Sequence, residues 1–206
     1  MKTSHSNMTM SGAVAGARTR ASELFDRFRI YRELRRRDSR IPFFFRGNPA
    51  QFRADGPIEI GRGVVIDGEA WFSVGENGRL IIGDHVHINR GFVVSCAGRV
   101  TIGQNVVMAD RVFIGDANHG YEDVSRPILL QPMAPPRPVT IEDDCWLGIN
   151  ACILAGVTIG RHSVIGANSV VTRSIPPFSV ACGNPASVVK QYDPSRQQWV
   201  RASSEQ

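Results

Sequence analysis

Large apolar residues return every sixth position along most of this chain, from Ile60 to Val171. They form five groups of three: Ile60, Ile66 and Phe72; Ile82, Ile88 and Val94; Ile102, Met108 and Ile114; Ile141, Leu147 and Ile153; and Ile159, Ile165 and Val171. Most are followed by Gly, Ala, Asp or Glu, as in IGRGVV, IGDHVH and IGRHSV. A fixed short period is typical of solenoids, in which each unit is one strand and one turn.

The interruptions of this period show how many sides one coil has. The spacing widens to ten residues after Phe72, to eight after Val94 and to 27 after Ile114, each time after the third member of a group. Insertions at one corner of a three-sided coil produce this pattern. The sequence therefore predicts an all-β fold, a parallel β-helix of about five coils, with a long loop (residues 120–140, five prolines) after the third coil.

The positive charge is concentrated before the repeats. The formal net charge is +5, yet residues 1–40 carry ten Lys/Arg and four Asp/Glu. In SELFDRFRIYRELRRRD, Leu24, Phe28, Tyr31 and Leu34 follow helical spacing, which predicts an arginine-rich amphipathic α-helical arm. We expect this arm to dock on the body with its basic face in solvent, and contact with an anionic membrane surface is the second interpretation. Nucleic acid is not expected as a partner because no base-reading motif accompanies the arginines.

These observations predict a division of the chain into four parts. Residues 1–22 are expected to be a disordered tail, 23–56 the basic helical arm and linker, 57–190 the β-helix domain, and 191–206 a C-terminal tail. No apolar run resembles a signal peptide or a membrane span, so a cytoplasmic location is expected, with the inner membrane surface as a site of peripheral contact. The four cysteines lack metal-binding spacing, so we interpret them as reduced, small, buried apolar residues.

One histidine stands out by its position. His119 lies in FIGDANHGYED, where the repeat opens into the long loop, which is where a solenoid usually builds a site. His85 and His162 occupy fourth places of hexads, His87 ends a hexad at a different corner, and His5 lies in the N-terminal tail. Histidine is suited to remove a proton from a hydroxyl near neutral pH. His119 is therefore the candidate general base.

The hexads, and above all the block CWLGINACILAGVTIGRHSVIGANSVVTRSIPPFSVACGNPASVVK, resemble the hexapeptide-repeat acyltransferases. Within that family the segment is similar to the maltose and galactoside O-acetyltransferases and to O-antigen and capsule O-acetyltransferases. The resemblance covers residues 60–190 and implies a left-handed coil, a homotrimer, and acetyl-CoA as the acyl donor with no metal. Periodicity alone does not give the handedness, because crossovers between parallel strands are nearly always right-handed.

The resemblance also assigns roles to individual residues. NHGYED resembles the family's active-site segment, which implies catalytic His119, and Asn89 matches an asparagine near the acceptor or the oxyanion. Tyr121, Glu122 and Asp123 are the candidate acceptor-binding residues, and one of the two carboxylates is also a candidate to orient the imidazole. The acidic acceptor contact of a galactoside enzyme falls near Ala97 here, which argues against the same sugar.

A second set of residues matches the family's coenzyme A groove. Trp146 of CWLG borders the groove in relatives, and the remaining matches are Gly148, Ala167 and Thr172 near the pantetheine or adenine and Arg173 and Lys190 near the phosphates. The segment GNPASVVK has Ser187 where relatives commonly carry a basic residue. Phosphate contact is therefore expected to be reduced, or to come from Arg161.

Taken together, the expectation is an acetyl-CoA-dependent O-acetyltransferase acting on a sugar hydroxyl of a polysaccharide, glycolipid or precursor. N-acetylation of an amino sugar or nucleotide sugar is the alternative within the family. Two rivals use the same fold differently: a metal enzyme of the γ-carbonic-anhydrase type, and an inactive binding module. The metal-enzyme family places two histidines five residues apart in its long loop, whereas the next histidine after His119 is His162.

Overall fold

The structure, a computed structural model, describes residues 52–67 and 69–202 of the chain. In these ranges three sheets surround one core, and we call them faces 1, 2 and 3 in the order in which each coil passes through them. Face 1 contains β2 (Ile58–Ile60), β5 (Arg79–Ile82), β8 (Arg99–Ile102), β11 (Val139–Ile141) and β14 (Thr158–Ile159). Face 2 contains β3 (Val65–Ile66), β6 (His87–Ile88), β9 (Val107–Met108), β12 (Trp146–Leu147) and β15 (Val164–Ile165), and continues into β17 (Ser179–Gly183), β18 (Ala186–Asp193) and β19 (Gln198–Arg201). Face 3 contains β1 (Phe52–Ala54), β4 (Ala70–Val74), β7 (Phe92–Cys96), β10 (Phe113–Gly115), β13 (Cys152–Ile153) and β16 (Val170–Val171).

The fifteen periodic apolar residues form the interior, as predicted. All are at most 2% exposed, and strand register stacks them in three ladders, one per face. On face 1, for example, Ile102 is level with Ile82 in the coil before it and Ile141 in the coil after it. Burying one such side chain contributes about 1.5–3 kcal/mol, while ordering each residue's backbone costs about 1–2 kcal/mol, so the coils are stable only as a stack. The parallel β-helix of five coils is confirmed.

Left-handed backbone conformation recurs at two of the three corners, and at the third corner it occurs at Gly156. The fourth place of a hexad has positive φ in every coil at the corner between faces 1 and 2, where Gly63, His85, Asn105, Asp144 and His162 stand. The corner between faces 2 and 3 has the same feature at Gly91, Arg111, Asn150 and Asn168. Glycine, asparagine and aspartate are the residues that adopt this conformation most readily. His85 and His162 are therefore corner residues with exposed side chains, as their hexad positions predicted.

The third corner, between faces 3 and 1, receives all the insertions. The connections from β4 to β5 and from β7 to β8 are short turns, whereas the connection from β10 to β11 is the long loop, with one 3₁₀ helix at Ile128–Leu130. In the following coil the same corner is made by an ordinary hexad, Ile153 to Ile159. The insertions predicted from the spacing thus stack above one another along one edge of the prism.

The ends of the solenoid differ from the predicted boundaries. Within the described residues β1 already lies parallel to β4, so the β-helix includes residues before the predicted boundary at 57. The segment predicted as a C-terminal tail forms the end of β18 and all of β19, an antiparallel hairpin that closes face 2. The tail at 1–22, the helical arm up to residue 51, Gly68 and residues 203–206 lie outside the described residues.

The cysteines follow the prediction only in part. All four are free, and Cys96 and Cys145 are buried next to the ladders. Cys152 is half-buried on face 3, and Cys182 is exposed in β17, so the interpretation of Cys182 as a buried core residue was wrong. Cys182 lies at the edge where the solenoid ends, and the antiparallel hairpin leaves its side chain in solvent.

Candidate active site

The long loop rises from the body as a two-stranded antiparallel ribbon, which we call the His119 ribbon: residues 116–120 run outward and residues 132–137 run back. Its rungs are backbone bonds from Arg137 N–H to the Asp116 carbonyl (2.7 Å), from Ala134 N–H to the Asn118 carbonyl (3.0 Å) and from Gly120 N–H to the Pro132 carbonyl (3.1 Å). His119 lies opposite Met133 in the ribbon. The candidate base is therefore carried by a paired segment rather than by a free loop.

The His119 side chain is exposed at this position. Among the residues that the structure describes, no hydrogen bond or ion pair engages its imidazole. The exposed imidazole is therefore accessible to a ligand or to another copy of the chain. A proton acceptor for an incoming hydroxyl needs this accessibility.

The two carboxylates that follow His119 bond within the loop. Glu122 accepts the backbone N–H of Tyr121 at 2.9 Å, and Asp123 accepts the hydroxyl of Ser125 at 2.6 Å and its N–H at 3.0 Å. The Ser125 hydroxyl and N–H hold the pKa of Asp123 below its ordinary value of 3.8. Neither carboxylate forms a hydrogen bond with the His119 ring, so among the described residues of one chain no acid orients it. Tyr121 is 65% exposed beside them.

Gln131 organises the tip of the loop. Its amide nitrogen donates to the carbonyls of Asp123 (2.9 Å) and Arg126 (3.0 Å), and its amide oxygen accepts the N–H of Asp123 at 3.2 Å. Arg126 in turn donates from its guanidinium to the Leu130 carbonyl at 2.9 Å. These bonds satisfy backbone groups that no strand pairs with, and so give an irregular segment one conformation.

Asn89, Trp146, Gly148 and Ala167 lie on another part of the prism. Asn89 and Gly148 occupy equivalent places at the corner between faces 2 and 3, each donating its N–H to the next coil, to Met108 and Ile165 respectively. A Cβ added to Gly148 would lie 2.7 Å from the Ala167 nitrogen, so the two coils approach closely there. Trp146, 52% exposed, lies on the outer side of face 2 two residues before Gly148.

The basic candidates are spread over separate places. Thr172 and Arg173 are exposed just after β16, at the corner that carries the long loop two coils earlier. Lys190 is exposed on β18, level with Val180 on face 2. The Arg161 guanidinium lies over the Phe178 ring, 5.1 Å from its centroid, and Arg161 also lines a shallow depression on face 1 with Thr101 and Thr140.

The predicted site residues are therefore divided between two corners of one chain. His119, the acceptor-binding candidates, Thr172 and Arg173 share the corner between faces 3 and 1. Asn89, Gly148 and Ala167 share the corner between faces 2 and 3, with Trp146 nearby on face 2. Face 3 separates the two groups, so a single chain does not bring its candidate catalytic residues together.

Asp116 is a buried carboxylate near the candidate site that the sequence analysis did not single out. Its side chain is fully buried, and its two oxygens accept the N–H groups of Ala97 and Gly98, each at 2.7 Å. The sequence contains a signal for this residue. Val74 and Cys96 occupy the same core position in the two preceding coils, and the third coil has the carboxylate of Asp116 there.

Among the described residues, no cluster of three or more His, Cys, Asp or Glu side chains is arranged to hold a metal ion. No helix in the described ranges is long and apolar enough to cross a membrane.

Comparisons with known proteins show which family the chain resembles. Residues 138–173 match the family model "Hexapeptide repeat of succinyl-transferase". The chain is 34% identical to "Putative lipopolysaccharide biosynthesis O-acetyl transferase WbbJ" of Escherichia coli over 75% of its own length and 82% of that protein. It is 40% identical to "Probable acetyltransferase Rv3034c" of Mycobacterium tuberculosis over 65% of its own length, but the match spans only 44% of that relative.

One solved structure is also similar to this chain. The hexapeptide-repeat acetyltransferase VCA0836 of Vibrio cholerae, crystallised with acetyl coenzyme A, aligns at a TM-score of 0.51 and 25% identity, covering 81% of this chain and 78% of that one. The chain belongs to the hexapeptide-repeat acetyltransferases. The resemblance from the hexads and the CWLG block is confirmed.

Proposed function

We propose that this protein is an acetyl-CoA-dependent O-acetyltransferase acting on a sugar hydroxyl of a polysaccharide, glycolipid or precursor, with His119 as general base. The observation that carries the proposal is the exposed imidazole of His119, held on a hydrogen-bonded ribbon where the repeat opens, in a chain of this family. The names of relatives point the same way: WbbJ is named for lipopolysaccharide O-acetylation, and VCA0836 was crystallised with acetyl coenzyme A.

The chemistry follows from what each group can do. His119 takes the proton of the acceptor hydroxyl as the oxygen attacks the thioester carbonyl, because an alcohol becomes a good nucleophile only as its proton leaves. The carbonyl oxygen then carries negative charge, which an amide donor such as that of Asn89 stabilises. The C–S bond breaks, the acetyl group remains on the sugar oxygen as an ester, and the proton held by His119 goes to the departing coenzyme A sulfur.

The active site of this proposal lies between subunits of a homotrimer. The division of candidate residues between two corners supports this arrangement, since one chain presents His119 and another presents Asn89 and Trp146. In a cyclic assembly, one corner of each chain meets a different corner of the next chain, so three equivalent sites form. Coenzyme A then lies along the seam, with Trp146, Gly148 and Ala167 beside the pantetheine arm and with Thr172, Arg173 and Lys190 toward the adenine and phosphates.

The direct test is substitution of the base. His119→Ala and His119→Gln are expected to lower the rate of acetyl transfer by about 10²–10⁴, the usual contribution of a positioned general base, without changing coenzyme A affinity or the melting temperature. His85→Asn is the matched control, because His85 is an exposed histidine with φ of 56° at another corner and asparagine tolerates that conformation.

The assay also separates the alternatives. Transfer from acetyl-CoA to a panel of oligosaccharides and amino sugars is followed by mass spectrometry, and treatment with mild base removes an O-acetyl ester but leaves an N-acetyl amide. A product that survives base treatment would mean amino-sugar acetylation. A His119→Ala variant that keeps more than a third of the wild-type rate, against the expected loss of about 10²-fold or more, would exclude His119 as the base.

A further inference from the structure

Asp116 is a buried carboxylate that the proposed chemistry does not use. It is 0% exposed, and among the described residues no Lys, Arg or His forms an ion pair with it. The coils below fill the equivalent core positions with Val74 and Cys96, which shows that a neutral side chain fits this column. Burying a charge without a partner of opposite charge costs stability, so its presence requires a compensating set of bonds.

The compensation comes from two backbone donors of the neighbouring coil. The N–H groups of Ala97 and Gly98 each donate to a different oxygen of Asp116 at 2.7 Å, the short length expected when the acceptor is charged. These two residues form the turn between β7 and β8, at the same corner from which the long loop leaves one coil later. The side chain therefore joins the turn of the second coil to the first residue of the His119 ribbon.

The backbone of Asp116 also forms hydrogen bonds at the base of the His119 ribbon. The Asp116 N–H donates to the Ser95 carbonyl at 3.2 Å, and its carbonyl accepts the N–H of Arg137 at 2.7 Å. The returning limb rests on the same turn, since a Cβ added to Gly98 would lie 2.9 Å from the Cβ and Cγ of Pro136. Both limbs therefore rest on residues 97–98, and Asp116 lies three residues before His119.

We propose that Asp116 is a positioning residue for acyl transfer: its buried carboxylate fixes the root of the His119 ribbon on the Ala97–Gly98 turn and thereby places the imidazole at the acceptor. The inference rests on the proposed function of His119 as the base. The physical reason is distance: a general base works only within hydrogen-bond reach of the proton it takes, and a shift of about 1 Å costs up to about 10²-fold in rate. A ribbon attached only by its own rungs can pivot at the corner, whereas one held by a two-oxygen carboxylate cannot.

The first experiment replaces the carboxylate by its neutral isostere. In Asp116→Asn the amide NH₂ group meets one of the two backbone donors, so one hydrogen bond becomes a repulsive contact. Turnover is expected to fall about 10–100-fold, while the KM for acetyl-CoA stays near the wild-type value. Hydrogen exchange of residues 117–137 should accelerate, while that of the β-strand ladders stays unchanged.

Asp84→Asn is the matched control for the carboxylate. Asp84 accepts the backbone N–H of Arg62 at 2.7 Å in the same coil-to-coil manner, but at the corner between faces 1 and 2. This variant is expected to keep wild-type turnover. If both variants lose turnover equally and in proportion to a lowered melting temperature, the role of Asp116 is structural only and the inference is overturned.

The second experiment changes the Ala97–Gly98 turn on which the ribbon rests and leaves Asp116 intact. This keeps the inference testable if Asp116→Asn does not fold. Gly98→Ala forces Pro136 to move, whereas Gly75→Ala at the same corner one coil earlier meets nothing closer than 3.7 Å. Turnover should fall in Gly98→Ala and stay at the wild-type value in Gly75→Ala. Wild-type turnover in Gly98→Ala, or in a folded Asp116→Asn variant, contradicts the inference. Retained activity in His119→Ala would instead contradict the proposed function, so the two failures are distinguishable.

Discussion

The buried cysteines show, at the scale of single residues, how the core sets side-chain chemistry. Burial raises the pKa of the Cys96 thiol from 9.0 to about 11, and the negative charge of Asp116 adds to the effect. Burial likewise raises the pKa of Cys145 to about 11, and its Sγ donates to the Gly160 carbonyl at 3.3 Å. Cys182, exposed at the end of the solenoid, is the thiol most accessible to reagents among the four.

These shifts predict a loss of stability in alkaline solution. In the unfolded chain the thiols ionise near pH 9, whereas the folded chain keeps them protonated until about pH 11, so the contribution to stability is full below pH 9 and is lost as the pH rises toward 11. Each thiol adds at most about 1.4 kcal/mol per pH unit to the slope. The Cys96→Ala/Cys145→Ala double variant should have a shallower decline than wild type between pH 9 and 11 in urea unfolding, and Cys182→Ala should match wild type. Equal slopes in all three proteins would contradict the assignment.

At the scale of the elements, each short strand presents one residue to the core and the preceding one to solvent. On face 2 the outward residues include Val107, Trp146 and Val164, which are level with one another in successive coils and form an apolar strip. Val107 is 44% exposed and Trp146 52%. Strands buried on one side only usually carry polar residues outward. An apolar strip on the outer side of face 2 is therefore consistent with its proposed place in the coenzyme A groove.

Trp146→Ala is expected to weaken acetyl-CoA binding more than acceptor binding. Loss of about 1–2 kcal/mol of apolar contact corresponds to about 5- to 30-fold in affinity, measurable by calorimetry on the folded protein. Trp71→Ala is the control, since Trp71 is 38% exposed on the outer side of face 3, level with Val93. If acetyl-CoA affinity is the same in Trp146→Ala and wild type, Trp146 is a packing residue and the groove lies elsewhere.

At the scale of the whole molecule, stability comes from neighbouring coils. Each coil bonds only to the coil before it and the coil after it, so the free energy of folding is close to a sum over coils and their interfaces. The C-terminal end is closed by the antiparallel hairpin of β18 and β19, where Tyr192 and Trp199 pack edge to face at 5.7 Å. On face 2 the sheet therefore ends on the antiparallel strand β19.

The repeat should therefore fold without the basic arm. A chain that begins at residue 41 contains every described coil and should give cooperative thermal unfolding and a β-type circular dichroism spectrum close to that of the full-length protein. Retained activity on soluble acceptors, with loss only on lipid-linked ones, would support contact between the arm and an anionic membrane. An insoluble or unfolded product would show that the arm completes the core.

The sequence by itself determined the parts of this protein that depend on local periodicity. An inward side chain at every sixth position requires only the geometry of one strand and one turn, so the fifteen core residues, the three-sided coil and the corner with the insertions were readable before any contact was known. The family resemblance added the handedness and the roles expected of His119, Asn89 and Trp146.

Tertiary structure alone decided which residues meet across coils. The Asp116 bonds span 18 and 19 residues, and the ribbon pairs residue 116 with residue 137. Such partners depend on how the loop returns to its corner, which no six-residue pattern encodes, and the division of the candidate site between two corners follows from the same three-dimensional stacking.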